Sequence, residues 1–239
     1  YSRLSMVVLA LLSTITLTCG PPRFTSPGRI LTGERIVIES ILATTVAIGT
    51  GNKVFGAGIV LQHSEKKPLV VGTAFHVISR ILQYWTTQIT TMPDEELDTI
   101  LWAIPQSGLK IPLKLKKANA SMDLALTESI RPMISSGPAA RFPAIPPMIG
   151  DATWVVGSPL GIASYLTKGI LSAQIRARMG SPKSYEYYFT DAVVYFGNSG
   201  GGAYNSLGEL IGVVLAKSPT NNGIVISYKY LAELYKAPN

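Results

Sequence analysis

Five consecutive residues carry the strongest chemical signal in the chain: Gly197-Asn198-Ser199-Gly200-Gly201, closing an apolar, aromatic-rich run. A serine set among glycines has an exposed hydroxyl and an unencumbered backbone. A nucleophilic serine needs both, because the anion formed on attack at a carbonyl must be met by nearby N–H groups. Serine attacks only if a base takes its proton, and a third group must orient that base. The chain has two histidines, His63 and His76. His63 stands beside Ser64-Glu65-Lys66-Lys67 and reads as an exposed loop residue, whereas His76 ends the strand-like run Gly72-Thr73-Ala74-Phe75. Asp123 opens an apolar strand, Leu124-Ala125-Leu126. A carboxylate there is costly to bury unless paired, and a histidine N–H is a suitable partner. The glycine-serine segment alone would be a flexible turn; with His76 and Asp123 preceding it in that order, it becomes a candidate for acyl transfer. Asp151, directly after Gly150, reads as a turn residue rather than the orienting acid.

Positions 76, 123 and 199 need a scaffold that brings them together. From Glu34 onward the chain reads as short β-rich runs: 36–48, 54–62, 68–73, 100–104, 109–115 and 124–126, then 153–156, 165–175, 185–195, 202–204, 210–215 and 224–228. Lysines alternating with apolar residues near 109–115 mark a half-buried strand. Between the two sets, 130–149 holds Pro132, Pro138, Pro143, Pro146 and Pro147 and reads as a connector. Only 77–85 and 229–236 look helical. Tyr185, Tyr187, Tyr188 and Phe189 have strand spacing and read as packing rather than as a binding surface. With no βαβ rhythm and no visible internal repeat, the expectation is an all-β protein of two antiparallel units. The chain divides into an apolar signal- or anchor-like segment (1–20), a linker (21–33), a first β unit with the histidine and aspartate (34–130), the connector (131–150) and a second β unit with the serine (151–239).

Composition narrows the alternatives. Apolar residues make up 47% and charged residues 15%, which excludes a disordered chain. Cys19 is the single cysteine, so an intramolecular disulfide and a clustered-cysteine metal site are both excluded. With two histidines and no HExxH, neither a catalytic metal nor another cofactor is expected. The net charge of +7 is scattered over strand-like positions without a nucleic-acid reading motif, so nucleic acid is disfavoured as a partner. Residues 6–18 are apolar or hydroxylic, too short for a spanning helix, and point to export, periplasmic, extracellular or lumenal, with possible membrane association through 1–20.

Several separated segments resemble one family. Thr73-Ala74-Phe75-His76-Val77 and Asp123-Leu124-Ala125-Leu126 resemble the histidine and aspartate motifs of trypsin/chymotrypsin-fold serine proteases. Val156-Gly157-Ser158-Pro159-Leu160-Gly161, Gly169-Ile170-Leu171-Ser172-Ala173, Thr190-Asp191-Ala192 and Gly208-Glu209-Leu210-Ile211-Gly212 match further segments in order, most closely those of the HtrA/Deg group. The resemblance spans about residues 34–230. It implies two six-stranded antiparallel Greek-key β-barrels with a short C-terminal helix, and a serine endopeptidase acting on polypeptides. Ser199 would be the nucleophile, His76 the general base and then acid, Asp123 the orienting group, and the Gly197 and Ser199 N–H groups the oxyanion hole. Val193 would lie at the base of the primary specificity pocket, with Val214, Leu215 and Ala216 on the strand lining it. None is charged, which implies a preference for small or medium aliphatic side chains. No PDZ-like segment is expected after Tyr228, which leaves oligomerisation open. A protease fold serving as a structural or binding subunit of a membrane complex or virion is the alternative, and bulky Phe196 before Gly197 raises the question of whether the oxyanion hole is correctly formed.

Overall fold

The computed structural model describes residues 33–64, 67–86, 101–132, 138–162 and 164–237. The expected signal- or anchor-like segment, 1–20, and most of the linker lie outside them. Helix α1 (Gly33–Ala43) leads into strands β1 (Thr45–Thr50), β2 (Lys53–Ser64) and β3 (Lys67–Ala74). Helix α2 (Phe75–Thr86) follows, then β4 (Leu101–Ile104), β5 (Ile111–Asn119) and β6 (Leu124–Pro132). The second half contains β7 (Ala152–Gly157), a 3₁₀ turn (Pro159–Gly161), β8 (Tyr165–Ala177), β9 (Tyr185–Thr190), β10 (Gly202–Tyr204), β11 (Leu210–Lys217), β12 (Gly223–Ser227) and helix α3 (Tyr228–Lys236).

The strands close into two six-stranded antiparallel barrels. The first runs β1-β2-β3-β6-β5-β4 and the second, traced the same way, β7-β8-β9-β12-β11-β10. The two paths are identical when each strand number of the first is raised by six, so the topology repeats where the sequence shows no repeat. Burial explains this. A barrel strand needs alternate apolar residues on its inner face and tolerates many side chains on the other, so one backbone path accommodates unrelated sequences.

Two apolar clusters result. One joins Ile48, Ile59, Val71 and Leu126 of the first barrel to Tyr204, Leu210 and Val213 of the second. The other contains Val155, Leu171, Tyr188, Ile211, Val214 and Val225. Consecutive Val213 and Val214 thus serve different clusters, as the pleat requires. On the outer surface of the first barrel, Lys114 and Lys116 of β5 flank Glu128 of β6 at 3.3 and 2.7 Å. The lysine alternation in the sequence therefore marks a cross-strand charged face.

Two local readings change. The 36–48 run is not one strand: Gly33–Ala43 is helical and the strand starts at Thr45. Its Ile and Val content suggests β structure, but Val37, Ile38, Ile41 and Leu42 also fall on one helical stripe, and Arg35 and Glu39 pair one turn apart at 3.2 Å. Packing decides between the two, since Val37 and Ile41 lie against the Gly208 turn before β11. His63 falls within β2 rather than in a loop.

Candidate active site

Asp123 ends the tight turn between β5 and β6. Asn119 shapes this turn, its side-chain Oδ1 accepting the Met122 N–H at 3.1 Å. Asp123 has φ of +52°, a left-handed conformation that Asp tolerates better than most residues. From there its carboxylate meets the start of α2. Oδ1 accepts the His76 backbone N–H at 2.8 Å, and Oδ2 lies 2.6 Å from His76 Nδ1. The Asp123 carbonyl also accepts the Phe75 N–H at 3.0 Å. The first turn of a helix leaves N–H groups unpaired, and a carboxylate there satisfies them and suits the helix dipole. The same acid therefore caps the helix and holds the imidazole. With Nδ1–H directed at a carboxylate, Nε2 is the basic nitrogen.

The serine loop is fixed through its backbone. Ser199 O accepts the Ala57 N–H of β2 at 2.8 Å, linking the loop to the first barrel. Gly200 N–H donates to Val214 O at 2.7 Å, and Val214 N–H returns a bond to Gly201 O at 2.9 Å. Two glycines make this possible. Gly197 has φ of +99°, and a Cβ there would sit 2.6 Å from Ser158 O. Gly200 has φ of +83°, and its Cβ would run into Thr73 Oγ1 and Ala57 O. Within this bonded loop, the N–H groups of Gly197 and Ser199 find no acceptor among the described residues. Phe196, directly before Gly197, is 90% exposed, so its side chain is not packed within this loop. Asn198 between them is fully buried, and its amide Oδ1 and Nδ2 have no partner among the described residues.

His76 and Ser199 line one cleft of about 310 Å³ between the barrels. Leu215 and Ala216 line it as well, together with Val194, Tyr195 and Phe196 of the loop that leads to the serine. Val193 and Val214 do not. Val193 is 44% exposed and its carbonyl accepts the Thr167 hydroxyl, while Val214 is buried in the second cluster. Two cations complete the lining, Arg80 and Lys217. Arg80 is one helical turn beyond His76 on α2, whereas Lys217 follows a register shift between Val214 and Ala216 that breaks the alternation of β11 and hides it from a pattern reading. In this conformation the Ser199 hydroxyl donates to Leu215 O at 3.0 Å rather than bonding His76. A proton could pass from it to the imidazole only after it leaves that carbonyl, a step between staggered rotamers.

The chain is 35% identical over 127 residues to a probable periplasmic serine protease do/HhoA-like of Haemophilus influenzae, covering 51% of this chain and 27% of that protein. It is 32% identical over 130 residues to the periplasmic serine endoprotease DegP of Escherichia coli, covering 53% and 27%. It is 38% identical over 78 residues to the serine endoprotease DegS of the same species, covering 32% and 22%. The matched region thus spans about a quarter of the length of these relatives. Residues 56–213, which include His76, Asp123 and Ser199, match the family described as the trypsin-like peptidase domain. The chain belongs to the trypsin-like peptidase family.

Proposed function

We propose that this domain is a serine endopeptidase that cleaves polypeptides through an acyl-enzyme. Ser199 Oγ attacks the scissile carbonyl carbon while His76 Nε2 takes the hydroxyl proton. Asp123 holds the imidazole and stabilises its charged form. The carbonyl oxygen becomes an anion bound by the Gly197 and Ser199 N–H groups. The C–N bond then breaks, with His76 returning the proton to the leaving amine. Water, deprotonated by the same imidazole, releases the acyl group from Ser199 and restores the hydroxyl.

One observation carries this reading: a histidine held at both its ring and its main chain by a carboxylate shares a cleft with a serine flanked by two unengaged N–H groups. The substrate's route is also available. β11 pairs with β10 only as far as Val213, which leaves the edge from Leu215 to Lys217 open toward the cleft, where an extended peptide can add as a strand. Val194 and Leu215 make the inner lining apolar, which supports a preference for small or medium aliphatic side chains.

Export belongs to the same reading. Two of the relatives are named periplasmic, and residues 6–18 have the composition of an export signal. No helix among the described residues is long and apolar enough to cross a membrane. The test of the chemistry is an active-site fluorophosphonate. Wild type becomes labelled and Ser199→Ala does not. An unlabelled wild type overturns the endopeptidase reading in favour of a protease fold used for binding or structure.

A further inference from the structure

The cleft has an apolar floor and a cationic rim. Arg80 reaches it from α2 and Lys217 from β11, so each barrel supplies one cation. Both residues are exposed, and among the described residues neither has a carboxylate partner. Acids that flank the lining residues are engaged elsewhere: both Asp123 oxygens bond His76, and Asp191 Oδ1 accepts the Ile170 N–H at 2.7 Å. Among the described residues, no carboxylate lines the cleft. Two unpaired cations facing a groove with low-dielectric walls favour an anionic occupant and disfavour a cationic one.

We infer that Arg80 and Lys217 select polypeptides carrying acidic side chains beside the aliphatic residue at the cleavage point. This rests on the endopeptidase reading and adds the charge class of its substrate. Lys217 ends the open edge of β11, so a peptide strand laid along Leu215–Lys217 carries its neighbouring side chains past the ammonium. Arg80 lies one helical turn beyond the catalytic base and faces the same bound segment from the other wall. Apolar contacts at Val194 and Leu215 set the size of the accepted side chain, and the two cations set the charge of its neighbours.

The experiment compares peptides of one aliphatic core flanked by Glu, Gln or Lys, read in two ways. The first is kcat/KM on wild type. The second is binding to Ser199→Ala by fluorescence anisotropy, which needs no turnover. Each exposed ion pair contributes a small factor, so Glu peptides are expected to exceed Lys peptides by roughly three- to tenfold at low salt. The ratio is expected to shrink toward one at about 0.5 M salt, where screening acts within a few ångströms. Lys217→Glu and Arg80→Glu each lower the ratio, the double variant inverts it, and Lys217→Arg retains it. Equal binding and equal kcat/KM for Glu and Lys peptides at low salt, in a protein that takes the fluorophosphonate label, overturn this inference and leave the endopeptidase reading standing. A Glu preference in binding without any labelling does the reverse.

Discussion

The two barrels share one strand path, yet they equip the cleft in different ways. The first contributes side chains held by other side chains: His76 is fixed by the two oxygens of Asp123, which is itself presented from a strained turn. The second contributes backbone: the Gly197 and Ser199 N–H groups are positioned by loop hydrogen bonds and by glycines with positive φ. The difference follows from the chemistry. Proton transfer needs one titrating group in one tautomer, which a side-chain partner can impose. Binding an oxyanion needs donors that do not titrate or swing, which main chain supplies best. The serine joins the two, with its carbonyl bonded to the first barrel and its loop anchored in the second.

The proton-transfer half carries the largest expected effect. His76→Ala is expected to lower kcat on the order of 10⁶-fold, and adding Ser199→Ala is expected to cost little more, because the residues act as one unit. Asp123→Asn should cost about 10⁴-fold. An Asn can present its oxygen to the His76 backbone N–H, but its amide NH₂ then faces Nδ1 and forces the wrong tautomer. A kinetic assay of the three variants settles this. A loss of only tenfold in Asp123→Asn would show that His76 keeps its tautomer without the acid, and that the first barrel does not work through side-chain partnership.

The backbone half breaks differently. Gly197→Ala places a Cβ 2.6 Å from Ser158 O at φ of +99°, so the 196–197 segment must shift and the proposed oxyanion donor at Gly197 moves with it. The expected loss is about 10²–10³ in kcat with KM little changed, since the hole is used mainly in the transition state. Circular dichroism checks that the barrels persist. A KM effect alone would move Gly197 from transition-state binding to substrate binding.

The side-chain half is also the more legible in sequence. His76, Asp123 and Ser199 stand out because each interrupts an apolar or glycine-rich run with a group that is costly there unless it has a partner. Eleven of the β-rich runs fall on β2 to β12 because turns bound them, while the 36–48 run reaches β1 only at its end. Helix α1 was hidden, since its Ile and Val residues suit either period and only packing against the Gly208 turn decides. The lining of the cleft was hidden for a related reason. The 191–198 segment has no regular alternation, so sequence does not show that Val194 turns inward while Val193 turns out. Arg80 and Lys217 meet only through the docking of two barrels, which no local pattern records. Phe196, which the sequence offers as an obstruction, is 90% exposed where it lines the cleft.

The barrels are also joined by a buried contact away from the chemistry. The hydroxyl of Tyr204 on β10 lies 2.9 Å from that of Thr44, just before β1. Burial pushes the Tyr204 phenol above its usual pKa, so it stays neutral and hydrogen-bonded throughout the working range. Tyr204→Phe is expected to destabilise the protein by about 1 kcal/mol. Thr44 retains its bond to Ile41 O at 2.8 Å, so no buried hydroxyl is left without a partner. A double-mutant cycle with Thr44→Ala, read by denaturant unfolding, measures the coupling. Zero coupling would mean that the serine loop, rather than this contact, holds the barrels in register.

A charge pair within one barrel should matter least, and it responds to conditions the buried contact ignores. Hydrogen bonding from Lys116, reinforced by Lys114, holds the Glu128 carboxyl below its ordinary value of 4.5 even though partial burial pushes the other way. A carboxyl whose folded pKa is lowered adds stability that is fully present above its unfolded value and is lost as pH falls through the folded one. Glu128→Gln is therefore expected to cost about 0.5 kcal/mol at neutral pH, because solvent screens both lysines. The difference from wild type should narrow as pH drops below 4.5 and should also shrink in high salt. Denaturant unfolding at several pH values tests this. A deficit that persists unchanged into strong acid would assign the effect of Glu128 to packing in the β5–β6 ladder rather than to its charge.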